Sequence, residues 1–145
     1  MDGITPSVAV LLEQLDQERV AVARALGVGA LTAREWVAEA YGVERPTLYE
    51  AIQATRAYAD VGAPAQLRHR YIWEDVPTGL VPIASLGAAC RVPTPVTDAL
   101  IQIANGLCGV DFRETGRTVE RLGMAGWAPE QICQYALEGD VMDLV

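Results

Sequence analysis

The chain has 145 residues, enough to bury one sizeable core without disulfides or a structural metal, and 51% of them are apolar against 21% charged, which excludes a disordered segment. Nineteen acidic residues against eleven basic ones give a net charge of -8, a field that repels phosphate backbones and anionic bilayers, so neither nucleic acid nor membrane is an expected partner. Every basic residue is arginine, and the absence of lysine excludes Schiff-base chemistry, a P-loop and a lysine general base.

Cys90, Cys108 and Cys133 are widely spaced and form no C-x-x-C pair, so neither a disulfide framework nor a zinc site is expected. No apolar run approaches the roughly 20 residues of a membrane span, and Met-Asp-Gly-Ile-Thr-Pro has no signal-peptide character. A soluble protein of the reducing cytoplasm, a single domain over residues 1–145, is the expectation.

Thr5-Pro6 opens a first helix, with a capping hydroxyl before a first-turn proline, and Val8, Leu11, Leu12, Leu15, Val22 and Leu26 keep helical spacing up to a stop at Gly27. Capping boxes at Thr32–Glu35 and Thr47–Glu50 open a second and a third helix. The second ends at Gly42; in the third, Leu48, Ile52 and Thr55 share a face before Gly62 and Pro64 break the pattern. A weak, kinked helix is expected from Asp75, which is placed to cap it, through Pro77, Gly79 and Pro82. Thr94-Pro95 repeats the opening signal and predicts a core helix buried along Val96, Leu100, Ile103 and Leu107. Two shorter helices follow, one after Asp111 through Val119 and Leu122, the other from Pro129 to Gly139. No stretch has strand character, so the fold class is all-α.

Three motifs invite function and yield to plainer readings. Gly27-Val-Gly29 begins like a dinucleotide fingerprint but joins two helices and ends on Thr32, so it is a helix stop. Ser85 lacks the first glycine of a nucleophile elbow. His69, the one histidine, stands between Arg68 and Arg70 with no partner fixed by sequence, and a structural role is preferred to acid-base work. The segment Arg70-Tyr-Ile-Trp-Glu-Asp-Val-Pro-Thr-Gly-Leu-Val-Pro82 is denser, with a guanidinium, two carboxylates and two aromatics beside a kinked helix. There Arg70 can hold a substrate carboxylate, Asp75 or Glu74 can move a proton, and amides freed by the prolines can meet ligand atoms. The alternative stays open that the carboxylates only cap the helix and pair with Arg70.

Arg70-Tyr71-Ile72, Glu74-Asp75-Val76-Pro77, Gly79-Leu80-Val81-Pro82, Val92-Pro93-Thr94-Pro95, Gly116-Arg117-Thr118 and Leu122-Gly123 together resemble the C-terminal domain of the octopine and nopaline (opine) dehydrogenases. Gly3-Ile-Thr-Pro-Ser-Val8 and the Glu18–Leu26 helix also fit, so the resemblance spans nearly the whole chain. Such enzymes join a Rossmann domain to an all-α domain and reductively condense an amino acid with a 2-oxo acid, using NADH or NADPH, between the two. The resemblance implies a catalytic role for Asp75 and places Arg70 in the same cleft; the segment's own chemistry adds Glu74 as a second catalytic candidate and Tyr71, Trp73 and Thr78, with Arg70, as candidate substrate contacts. Trp73 stands where a small polar residue is usual and Thr78 where the family often has tyrosine. The family's catalytic histidine, in an Asn-x-x-x-His-Pro stretch, and its glycine fingerprint have no counterpart here, so no cofactor site is expected in this chain; NADH or NADPH enters only with a separate Rossmann partner.

The preferred function is a stand-alone, non-redox biosynthetic enzyme of cyclase or isomerase type; the alternatives are a substrate-domain subunit of a split opine dehydrogenase and a non-catalytic ligand-binding or interaction domain. The resemblance also implies a homodimer.

Overall fold

The computed structural model describes residues 3–139; residues 1–2 and 140–145 of the expected domain lie outside the described residues. Among the described residues eight α-helices follow in chain order: α1 (Pro6–Ala25), α2 (Ala33–Tyr41), α3 (Leu48–Ala54), α4 (Arg70–Trp73), α5 (Val81–Ala89), α6 (Pro95–Cys108), α7 (Phe112–Thr115) and α8 (Pro129–Glu138). Among the described residues there is no strand, and no helix is long and apolar enough to cross a membrane. The fold is all-α.

The local start signals form as the sequence dictates. Thr5 accepts from the Val8 amide, and both capping boxes close reciprocally, Thr32 with Glu35 and Thr47 with Glu50. Helix α1 then organises the rest through three carboxylates. Asp16 accepts from the Ala33 amide at 2.7 Å, Glu13 from the Leu48 amide at 3.0 Å, and Glu18 from the Val96 and Thr97 amides at 2.7 and 2.9 Å. Each satisfies free amides in the first turn of another helix, α2, α3 and α6 in turn, where a negative charge is also favoured by the helix dipole. Around this axis α1 packs on α3, α5 and α6, and α2 packs on α3.

Two apolar clusters hold the layers together. Val76, Val81, Ala84, Ile101, Ala104 and Phe112 form the larger, between α5, α6 and α7; Val119, Met124 and Ile132 form the smaller, with Leu26, Leu86 and Trp127 against them. Gly116 sits where a Cβ would lie 2.6 Å from the Phe112 carbonyl and 2.9 Å from that of Pro77, so only glycine lets this turn close on the larger cluster.

Four expectations need correction. The α6 face along Val96, Leu100, Ile103 and Leu107 is not the buried one: Thr97, Ile101 and Ala104 are buried, while Ile103 and Leu107 are 57% and 58% exposed. The two stripes are neighbours on the helix, and the bonds from Glu18 to Thr97 turn the second one inward. Thr94 makes no side-chain cap, because Glu18 has taken that task. The helix after Asp111 stops at Thr115, and residues 117–128 are turns, because Gly116 adopts an extended conformation. Finally, Asp75 caps nothing: it has helical backbone angles, and the helical segment already starts at Arg70, with His69 as its N-cap.

Candidate functional site

His69 Nδ1 accepts from the Tyr71 amide at 3.3 Å, which supports the structural reading of this histidine. From there helix α4 runs into a π-turn, Val76–Leu80, and on into α5. The prolines explain the turn. Neither Pro77 nor Pro82 has an N–H to donate, so the ladder slips and the Val81 amide reaches back to the Val76 carbonyl. The groups this loosens are taken up within the fold. The Pro77 carbonyl accepts from the Arg117 amide at 2.9 Å, and the Thr78 amide and hydroxyl both donate to the Glu74 carbonyl, at 3.0 and 2.6 Å. The π-turn therefore offers a ligand no free amide at Thr78, one of the positions around the two prolines.

Arg70, Tyr71, Trp73, Glu74, Asp75 and Thr78 are all exposed, on a stretch only nine residues long, 70–78. Arg70 forms no ion pair with Glu74 or Asp75; its guanidinium carbon lies 5.8 Å from the centre of the Tyr71 ring instead. The structural-pair alternative for these three residues thus finds no support in the geometry. Trp73 packs edge-on against Phe112, ring centres 5.5 Å apart, with the Arg68 guanidinium 5.9 Å from its own ring centre. It covers the larger apolar cluster as much as it faces solvent.

Beside this segment opens a cavity of about 780 Å³ that the sequence did not announce. Its walls come from α1, α2, α3 and the 61–64 loop, with Tyr71, Leu80 and Ile83 closing one side. Of the six residues assigned to the site from sequence, only Tyr71 lines it. Trp36, Tyr41 and Tyr58 form an edge-on aromatic chain with ring centres 5.5 Å apart at each step, and Trp36 and Tyr58 face the cavity. Burial, and then the neighbouring Tyr41 hydroxyl, push the Tyr58 phenol upward, so it remains a neutral hydroxyl at neutral pH. Among the described residues the charged ones in the lining are Asp16 and Arg19, bonded to each other at 2.7 Å, with Asp16 also accepting from Ala33 and Arg19 donating to the Leu31 carbonyl. Partially exposed large residues such as Trp36 on the amphipathic face of α2 were the one available signal for this wall.

The other sequence candidates have structural work. Ser85 is buried, and its hydroxyl accepts from the Val119 amide at 2.9 Å, joining α5 to the turns that follow α7. Gly27 has φ 73° and ends α1, and among the described residues no strand precedes it, so Gly27-Val-Gly29 is a helix stop and not a pyrophosphate loop. Among the described residues no group of three His, Cys, Asp or Glu side chains converges as metal ligands would.

The alpha-helical domain of the NAD/NADP octopine/nopaline dehydrogenases matches residues 1–108, and the chain belongs to that family. It is 46% identical over 126 residues to an opine dehydrogenase of Arthrobacter sp. (strain 1C), covering 87% of this chain and 35% of the relative. It is 29% identical over 135 residues to a vitopine synthase of Allorhizobium ampelinum, covering 93% of this chain and 37% of that protein. The chain thus spans about a third of the length of these curated relatives. A solved octopine dehydrogenase, studied with NADH and L-arginine, superposes with a TM-score of 0.69 at 23% identity, over 96% of this chain and 40% of the other. That likeness concerns the fold.

Proposed function

We propose that this chain supplies the substrate-side half of an opine-forming dehydrogenase site, completed by a nucleotide-binding unit that brings NADH or NADPH and a catalytic histidine. One observation carries the reading. Arg70, Glu74 and Asp75 stand exposed within residues 70–75 with no ion pair among them, and Tyr71 of the same stretch lines an apolar cavity, an arrangement suited to a cleft closed from outside and poorly suited to a finished active site. In the completed cleft Arg70 holds a substrate carboxylate through its planar fork, Asp75 holds or moves a proton with Glu74 beside it, and Tyr71, Trp73 and Thr78 shape the wall. Family membership and the coverage of only a third of the relatives' length favour the same reading.

Asp75→Asn and Arg70→Ala, each assayed with the completing unit, test it. The first is expected to lower turnover by about 100-fold or more, the size of a lost general acid-base contribution. The second is expected to weaken substrate affinity about tenfold or more, as for one lost charge-assisted bond. Unchanged binding and turnover in both variants sinks the site. An NADH fluorescence titration bears on the division of labour: binding is expected only after the nucleotide-binding unit is added, and tight binding by the isolated chain contradicts it.

A second reading, a stand-alone non-redox cyclase or isomerase, draws on the 780 Å³ cavity, which can hold a flexible molecule folded. It ranks behind because Asp16 and Arg19, the charged residues of the lining, are already committed to each other and to backbone groups. The homodimer belongs with the first reading. Ile103 and Leu107 give α6 an exposed apolar stripe for a second copy to cover, and light scattering should report twice the chain mass; a strict monomer across micromolar concentrations counts against it.

A further inference from the structure

A second cavity, of about 630 Å³, lies between the end of α5, the turns of residues 118–128 and the start of α8, and shares no lining residue with the first. Its apolar wall is Ala88, Ala89 and Trp127, and its ionisable or polar side chains are Ser85, Cys90, Arg91 and Glu120. Two of these are spoken for. Ser85 accepts from the Val119 amide, and burial, then Cys133 and Glu130, push the Cys90 thiol up, so it carries no charge at neutral pH. The remaining two carry opposite charges. The Glu120 carboxylate is held below its ordinary range by its own backbone N–H and by the Thr118 hydroxyl.

Arg91 occupies a position that glycine would ordinarily fill. It has φ 58°, the one non-glycine residue with positive φ among those described, and it follows the last turn of α5 in a Schellman arrangement. The Val92 amide donates to the Gly87 carbonyl at 2.8 Å and the Arg91 amide to that of Ala88 at 3.2 Å. A side chain in this left-handed seat costs conformational energy that glycine avoids. Among the described residues nothing inside the fold offsets that cost. Among the described residues the Arg91 guanidinium makes no hydrogen bond and no ion pair, and Glu120, which lines the same cavity, is too far away to pair with it.

Opposite charges that share one cavity without meeting leave a gap that a zwitterion bridges. A plain anion meets Glu120 and the protein's net charge of -8, and a plain cation meets Arg91. We propose that this cavity is a separate binding site for a small zwitterion, an α-amino acid with an apolar side chain. Its carboxylate sits on Arg91, its ammonium turns toward Glu120, and its side chain lies against Trp127 and the Ala88–Ala89 wall. The site does not rest on the reading of the 70–82 segment.

Titration with L-phenylalanine, followed through the nitrogen-15 indole signals of the three tryptophans, tests it. The Trp127 signal should shift saturably and with its own concentration dependence, whether or not the signals of Trp36 and Trp73 also move. Phenylalanine methyl ester, which lacks the carboxylate, and 3-phenylpropionate, which lacks the ammonium, should each bind about tenfold or more weakly, the effect of one charge-assisted contact. Arg91→Gly should weaken L-phenylalanine by a similar factor while raising Tm, because glycine suits the seat and the variant folds. Glu120→Gln should weaken L-phenylalanine and leave 3-phenylpropionate unaffected. A Trp127 signal unmoved up to the solubility limit overturns the proposal, as does Arg91→Gly binding L-phenylalanine as tightly as the parent, or 3-phenylpropionate matching L-phenylalanine.

Discussion

Glu18→Ala should be among the most damaging single changes in this fold, although nothing in the local sequence marks Glu18 as more than a charged residue on a long helix. Its carboxylate accepts from the Val96 and Thr97 amides at 2.7 and 2.9 Å and from the Thr97 hydroxyl at 2.7 Å. The α6 N-terminus has no side-chain cap of its own to replace it. A hydrogen bond to a charged group contributes about 1.5–3 kcal/mol, and a buried hydroxyl left without its partner costs about 1–3 kcal/mol. Thr97 is fully buried, but Glu18 is only part-buried, so water reaches some of the vacated space and the three bonds do not add. A loss of about 3 kcal/mol follows, a large fraction of the roughly 5–15 kcal/mol that holds a domain folded. Glu18→Gln keeps one acceptor oxygen but turns an amide toward a backbone N–H, and should fall between. Urea unfolding followed by circular dichroism gives the numbers, with the exposed Glu39→Ala as a control expected within about 0.5 kcal/mol of the parent. A Glu18→Ala variant as stable as that control would refute the idea that α1 holds α6 through this carboxylate.

Gly116→Ala should destabilise by roughly 2 kcal/mol, because the new methyl meets two backbone carbonyls that cannot move aside as a side chain would; a neutral result in thermal unfolding would mean that the turn relaxes freely. The Glu35 carboxylate is held below its ordinary value, chiefly by the Thr32 amide and then by the Thr32 hydroxyl. A depressed folded pKa means stability that is present above the unfolded glutamate pKa and is lost as pH falls through the lower, folded one. The stability curves of the parent and Glu35→Gln should therefore converge on acidification, and parallel curves across that range would contradict the assignment. Ser85→Ala should cost about 1–3 kcal/mol by leaving the buried Val119 amide without an acceptor, and should not alter ligand binding at the 70–82 segment.

What was legible in the sequence was what is local. Thr5-Pro6 and the boxes at Thr32–Glu35 and Thr47–Glu50 complete themselves within one turn, so residue order suffices to find them. The contacts of Asp16, Glu13 and Glu18 reach partners 17, 35 and 79 residues away, and a carboxylate that caps a distant helix has the same local pattern as one that faces solvent. The same distance effect reversed the α6 face: two adjacent stripes both look buriable, and the choice falls to Thr97, a polar residue that periodicity does not count. The candidate site divides along this line. Segment 70–82 stands out by its own residues, and its motif carries the family resemblance that residues 1–108 bear out. Its helix starts five residues before the expected Asp75 because His69, an uncommon cap, begins it. The cavity wall of α1–α3 escaped notice because Leu12, Trp36 and Ile52 come together only in the folded chain.

The central claim, that this chain is the substrate-side half of an opine-forming site, is tested most directly by exchange. Residues of this chain replace the matching third of the Arthrobacter opine dehydrogenase, and NADH oxidation is followed with an amino acid and a 2-oxo acid as joint substrates. The account predicts a chimera that binds NADH and condenses the pair, with Asp75→Asn lowering turnover by about 100-fold or more while NADH binding stays intact. A folded chimera that binds NADH but shows no turnover, or one whose rate survives Asp75→Asn, would contradict it.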